Sequence, residues 1–169
     1  MLAQLFLSAG LGLGAAQALP LLGTPGALLE SRAMPAIAPV SEYDRPADAR
    51  ALLRDLNALR AQNGLSPLDF EPRLYAAARA HALDMSNRHY FDHIAPDGTS
   101  PLDRIRQAGC SFGYAGENIV LDADEHFANL TLYRSPEHRL NILEPRYERV
   151  GIAAVQTDRG EIFVEDFSD

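Results

Sequence analysis

The apolar residues of this chain change their period once, and the change comes late. Up to about residue 145 they recur at three-and-four spacing between proline and glycine breaks. Beyond that point, residues 150–156 and 161–167 are short β-rich runs separated by Thr157-Asp158-Arg159-Gly160, a segment suited to a hairpin. A βαβ fold would alternate the two periods along its length. Helices followed by a terminal antiparallel hairpin imply an α+β layered domain instead.

Five helices are expected before the change. Leu52, Leu53, Leu56 and Leu59 form a stripe within residues 46–62, and Gly64 stops it. Glu71-Pro72 opens a second helix over 72–87, with Leu74, Ala77, Ala78, His81 and Met85 along one face. Ser100-Pro101 starts a third, short helix that ends at Gly109. Residues 123–133 form a fourth with a weaker stripe, and Ser135-Pro136 begins a fifth that Pro145 closes. A further strand belongs before the third helix or near residues 116–120, and the pattern alone does not place it.

Length and charge narrow the function. A chain of 169 residues fits one domain and can bury roughly two-thirds of its unfolded surface. Fifteen Lys and Arg against 23 Asp and Glu give a net charge of −8. That balance excludes nucleic acid as the main partner, since phosphate binding needs a clustered basic surface, and it is a poor match for anionic lipid. Cys110 is the one cysteine, so no intramolecular disulfide forms and the core alone holds the fold. A buried, inert thiol is expected there.

Residues 2–16 are apolar and uncharged, and Ala16-Gln17-Ala18 is a small-x-small triplet. This reads as an export signal over residues 1–18, cleaved after Ala18. The stretch is shorter than the ~20 residues a spanning helix needs, so no stable membrane span is expected after cleavage. Residues 19–45, with Pro20, Pro25, Pro35 and Pro39, read as a Pro-rich linker or arm. The folded domain is expected over 46–169, and the protein is expected to be secreted or periplasmic.

Three polar segments carry the chemistry. They are His89-Tyr90-Phe91-Asp92-His93 leading to Pro96-Asp97-Gly98; Gly116-Glu117-Asn118-Ile119; and Ser135-Pro136-Glu137-His138-Arg139-Leu140-Asn141-Ile142-Leu143. His93, Glu117 and His138 come from separate segments, as a site built by folding requires. Two imidazoles and a carboxylate suit Zn²⁺ or another divalent ion with one open position. With Ser135 as N-cap and Pro136 at N1, His138 falls in the first turn of its helix. The positive end of the dipole there disfavours imidazolium, leaving the ring free to ligate or to accept a proton. Asn141, one turn on, lies on the same face and can orient that ring or a ligand. His81 reads as a packed core histidine, His89 and His126 as solvated, and Asp97-Gly98 as a turn. Asn118 more naturally ties a loop than performs catalysis. Asn129-Leu130-Thr131 is a chance sequon inside a helix.

In this order and spacing, with Arg149-Val150-Gly151-Ile152 following, the segments resemble the bacterial branch of the CAP superfamily (cysteine-rich secretory proteins, antigen 5 and pathogenesis-related 1 proteins; the SCP domain). Asn57, Arg60 and Gly64-Leu65-Ser66-Pro67-Leu68 look like the family's first helix and the turn after it, and Val164-Glu165-Asp166-Phe167 like its final strand. The resemblance runs from about Leu52 to Phe167. It implies an α-β-α sandwich, a small, mostly antiparallel sheet flanked by helices, acting outside the cell. It also implies a central cleft where two His and two acidic residues bind divalent metal in several members. His93, Glu117 and His138 match that set, with Asn118 and Asn141 beside them. No second acidic residue stands in Leu130-Thr131-Leu132-Tyr133, and Leu132 occupies a position where the family commonly has Trp.

Two of the usual catalytic signatures are missing: there is no His-Glu-x-x-His and no phosphate-binding glycine loop. Three readings stay open. The first is a binding module holding a small molecule, lipid or peptide in the cleft, with or without metal. The second is a metal-assisted hydrolase acting on cell-envelope peptide or ester bonds. The third is a scaffold in which the polar cluster is purely structural.

Overall fold

The computed structural model describes residues 42–169 together with a two-residue strand at Leu7–Ser8. The rest of the expected export signal and arm lies outside the described residues.

The terminal hairpin forms the centre of the sheet. Strands β4 (Arg149–Thr157) and β5 (Gly160–Ser168) pair antiparallel without interruption, from Arg149 opposite Ser168 to Thr157 opposite Gly160. The strands reach further into the turn than expected, leaving Asp158 and Arg159 at the tip. Gly160 there has φ +128°, a backbone region that glycine tolerates without strain. The strand that pattern could not place is β3 (Tyr114–Asp122), antiparallel to β5 on its other side. It was illegible because it is buried on both faces, which removes the alternation that marks a half-buried strand. The sheet order is β1-β3-β5-β4-β2. Here β1 (Leu7–Ser8) lies antiparallel on β3, and β2 (Asp69–Phe70), not anticipated from sequence, runs parallel to β4.

Among the described residues five helices flank this sheet: α1 (Pro46–Gln62), α2 (Pro72–Arg88), α3 (Pro101–Gln107), α4 (Glu125–Arg134) and α5 (Pro136–Ile142). Four of the starts follow from side chains that satisfy the free N–H groups of a first turn, while α1 opens on Pro46 without a side-chain cap. Glu71 accepts from the Arg73 backbone, and Ser100 and Asp103 cap each other reciprocally. Asp124 accepts from Phe127, and Ser135 accepts from His138.

The expected α-β-α sandwich is what forms. On one face Leu52, Leu56, Ala128, Leu132 and Ile142 pack against Val120, Ile152, Phe163 and Phe167. On the other, Ala78, Ala82 and Met85 of α2 pack against Ile119, Ala153, Val155, Ile162 and Val164. Leu74, Ala77, Ile105, Cys110 and Ala115 join α2, α3 and β3. Helix α2 lies directly on β4 because Gly151 has no side chain. A Cβ there would sit 1.9 Å from the Tyr75 backbone nitrogen.

Two polar ties close the layers. Arg60, 1% exposed, donates to the carbonyls of Ser66, Ile142, Glu144 and Tyr147, joining α1 to the connection between α5 and β4. Residues 43–45, read from sequence as the end of the arm, are held against the domain. Arg45 N–H donates to Ala154 and Gln156 N–H to Tyr43, while Asp44 accepts two hydrogen bonds from buried Arg79 at 2.8 and 2.7 Å. Cys110 is buried as expected, and burial pushes its thiol up, away from the reactive thiolate.

Candidate functional site

Consecutive residues of a strand face opposite sides of its sheet, and β3 uses this to feed two polar groups. Glu117 points toward α2 and α3, and Asn118 toward α5.

Glu117 is 1% exposed, and three donors from three elements converge on its carboxylate. His93, on the loop after α2, presents Nδ1 to Oε1 at 2.8 Å. His81, on α2, presents Nδ1 to Oε2 at 2.9 Å, and Arg104 of α3 donates from Nη2 to the same oxygen at 2.9 Å. Burial alone would push this carboxyl up. The hydrogen bonds from His81 and His93, with the charges of His81 and Arg104, outweigh it and hold the group down at about 2. An ionised carboxylate only accepts, so the Nδ1 of both rings carries the proton.

On the other face, Asn118 Nδ2 donates to the His138 carbonyl at 3.2 Å and to Glu165 at 2.9 Å. Asn141 Nδ2 donates to Asn118 Oδ1 at 2.9 Å and to the Glu117 carbonyl at 3.2 Å. The Tyr147 hydroxyl reaches Asn141 Oδ1 at 3.5 Å, its ring stacked between Tyr114 and Phe167. Gly116 makes room for this, because a Cβ there would sit 2.3 Å from the Tyr147 hydroxyl. His138 occupies the first turn of α5 over the Ser135 cap, as the sequence predicts. Burial, followed by the nearby His93, lowers its proton affinity, so its ring stays neutral near pH 7. Its Nδ1 is buried without a hydrogen-bond partner.

All five expected residues therefore meet in one network, but not in the roles expected. Asn118 and Asn141, expected to line the cleft, are wholly buried, because their amides are spent on each other and on the backbone of His138 and Glu117. The three-ligand metal set does not fit either. Glu117 is covered and its oxygens are taken by His81, His93 and Arg104, so the carboxylate holds the His93 ring rather than facing a cation. Among the described residues, no group of three or more His, Cys, Asp or Glu is arranged to hold a metal ion.

Sequence reading missed four members: His81, Arg104, Glu165 and Asp166. His81 was recognised as buried, and an imidazole on a buried stripe needs a partner, which was the available signal. Glu165-Asp166 breaks an otherwise apolar strand, a second signal. Arg104 carried none beyond its place on the inner face of a short helix. Burial raises Glu165 to about 7 against the pull of the Asn118 hydrogen bond. Burial and then the Glu117 charge raise Asp166 well above the carboxylate range. His89 and His126 are exposed, as read.

Residues 53–167 match the cysteine-rich secretory protein (CAP) family. YkwD of Bacillus subtilis is 36% identical over 112 residues, which are 66% of this chain and 43% of that protein. The Bacillus subtilis membrane protein YlbC is 29% identical over 97 residues, 57% of this chain and 28% of that protein. The chain thus spans less than half the length of either relative. Among solved structures, an extracellular SCP-domain protein from Bacillus anthracis superposes with TM-score 0.67 at 24% identity, covering 73% of this chain and 40% of that one. An outer surface protein of Borrelia burgdorferi superposes with TM-score 0.69 at 22% identity, covering 73% and 92%. At these identities the structural likeness speaks for the fold.

Proposed function

The chain belongs to the cysteine-rich secretory protein family, and on that premise we propose that it is a non-catalytic binding module of the cell envelope or exterior. Its cleft, bordered by His93 and His138, holds a small molecule, lipid or peptide. The observation that carries this reading is the saturation of Glu117. A hydrolase of this design needs a carboxylate free to act as base, and Glu117 is buried, held at about 2 and engaged by three donors. Glu165 and Asp166, two carboxyls that burial raises, are wholly buried and cannot reach a substrate. What the network does supply is a His93 ring held through Nδ1 and a His138 backbone held by Asn118 and Ser135, an arrangement suited to recognition.

Action outside the cytoplasm is supported by the signal-like residues 1–18 and by the Bacillus anthracis and Borrelia burgdorferi proteins, described as an extracellular and an outer surface protein. Among the described residues no helix is long and apolar enough to cross a membrane.

Calorimetry on the full chain tests the proposal, with short peptides and uncharged phospholipid vesicles as separate titrants. Saturable binding of one of them, lost in both His93→Ala and His138→Ala, is the expected result. Turnover of peptide or ester substrates that disappears with His138→Ala would overturn the binding reading in favour of hydrolysis.

A further inference from the structure

We infer that Arg104 is the positioning residue of His93: one guanidinium nitrogen holds both the backbone of that histidine and the carboxylate that grips its ring. Arg104 Nη2 donates to the His93 carbonyl at 2.8 Å and to Glu117 Oε2 at 2.9 Å. The other oxygen of that carboxylate, Oε1, accepts from His93 Nδ1 at 2.8 Å. The contacts form a closed circuit that leaves His93 through its main chain and returns through its ring. Arg104 Nη1 extends the hold to the Thr99 carbonyl at 3.1 Å, so one side chain of α3 reaches the loop between α2 and α3 at two points.

Two consequences follow from the chemistry of the circuit. A guanidinium has donors in a fixed planar fork and can satisfy a carbonyl and a carboxylate together, which a single ammonium on a flexible stem does poorly. A buried carboxylate also needs a countercharge, and Arg104 supplies one cation for one anion. His81 and His93 both meet the same carboxylate through Nδ1. The groups facing this ring and its carboxylate are Glu117 on β3, His81 on α2, Arg104 on α3, Asp166 on β5 and His138 on α5.

This assignment depends on the cleft reading only for its significance. Its test observes His93 itself, so it stands or falls separately from ligand binding. Long-range ¹H–¹⁵N correlation spectra of the full chain at about pH 7 report which ring nitrogen bears the proton. The wild type is expected to show His93 protonated at Nδ1, with Arg104 Nη2 protons resolved and slow to exchange with water. Arg104→Gln is expected to lower the ratio of that ring form to all others roughly tenfold, the effect of losing one charge-assisted hydrogen bond. Arg104→Lys, which keeps the charge without the fork, should fall between the two. A folded Arg104→Gln protein with an unchanged His93 ring overturns the proposal. So does a wild type with the proton on Nε2, or with an averaged, freely exchanging guanidinium, and those two outcomes need no variant to fold.

Discussion

Glu117 and Asp166 stand directly opposite each other on β3 and β5, both buried, with their side chains on the same face of the sheet. As two carboxylates neither can donate to the other, and neither oxygen of Asp166 then has a partner. With a proton on Asp166 the pair becomes a hydrogen bond, and the Glu117 charge, after burial, is what keeps that proton in place. Glu117 thus stays the anion of the site and Asp166 its neutral neighbour.

That asymmetry makes Asp166→Asn a mild substitution. An amide donates to Glu117 without needing a proton, so thermal unfolding at about pH 8 should occur at the same temperature as wild type or higher. Asp166→Ala, which leaves the contact unmade in a buried site, should cost about 1–3 kcal/mol. Equal destabilisation by both variants would mean that the opposing carboxyls do not share a proton.

Removing Glu117 should be far more damaging. Glu117→Ala leaves Arg104 buried beside two imidazole N–H groups with no anion between them, and breaking a buried ion pair from one side costs about 3–5 kcal/mol. Denaturant unfolding measures this directly. A loss under about 1 kcal/mol would show that the carboxylate is not what holds His81, His93 and Arg104 together.

Stability should also decline toward alkaline pH. Glu165 is raised from the ordinary 4.5 to about 7, so between those values the folded protein holds a proton that the unfolded chain has released. The stability it contributes is complete below about pH 4.5 and lost as pH rises through 7, and Asp166 acts in the same sense. Glu117, held at about 2, works the other way and loses its contribution as pH falls below 4.5. The unfolding free energy should therefore peak near pH 4.5–5. Glu165→Gln should remove on the order of 3 kcal/mol of the fall between about pH 5 and about pH 8. An identical pH slope in variant and wild type would show that Glu165 is not the titrating group.

Arg60 should prove indispensable to the packing of α1. Its guanidinium satisfies four carbonyls in a buried site, and Arg60→Met strands them while conserving much of the apolar stem. A loss of about 3 kcal/mol or more is expected by denaturant unfolding. A near-neutral result would mean that water replaces the guanidinium.

How legible the molecule was from its sequence depended on whether a signal was local. Helix starts were readable because a cap is a contact within one turn: Glu71-Pro72, Ser100-Pro101 and Ser135-Pro136 each announce the chemistry that the first turn needs. The β4–β5 hairpin was readable for the same reason. Strand β3 was not, since its burial is imposed from both sides by helices distant in sequence, and β2 is two residues whose pairing depends wholly on β4. His93, Glu117 and His138 could be chosen as a set by residue type and order. Their roles could not, because what a carboxylate does depends on which donors reach it. His81, Arg104 and Asp166 lie 36, 13 and 49 residues from Glu117 in the chain, and only the packing of α2, α3 and β5 around β3 brings them to it. The sequence alone determined that a polar cluster would form here. Tertiary structure decided that Glu117 would be its covered anchor, because burial and convergent donors, not residue identity, set the charge and accessibility of a carboxyl group.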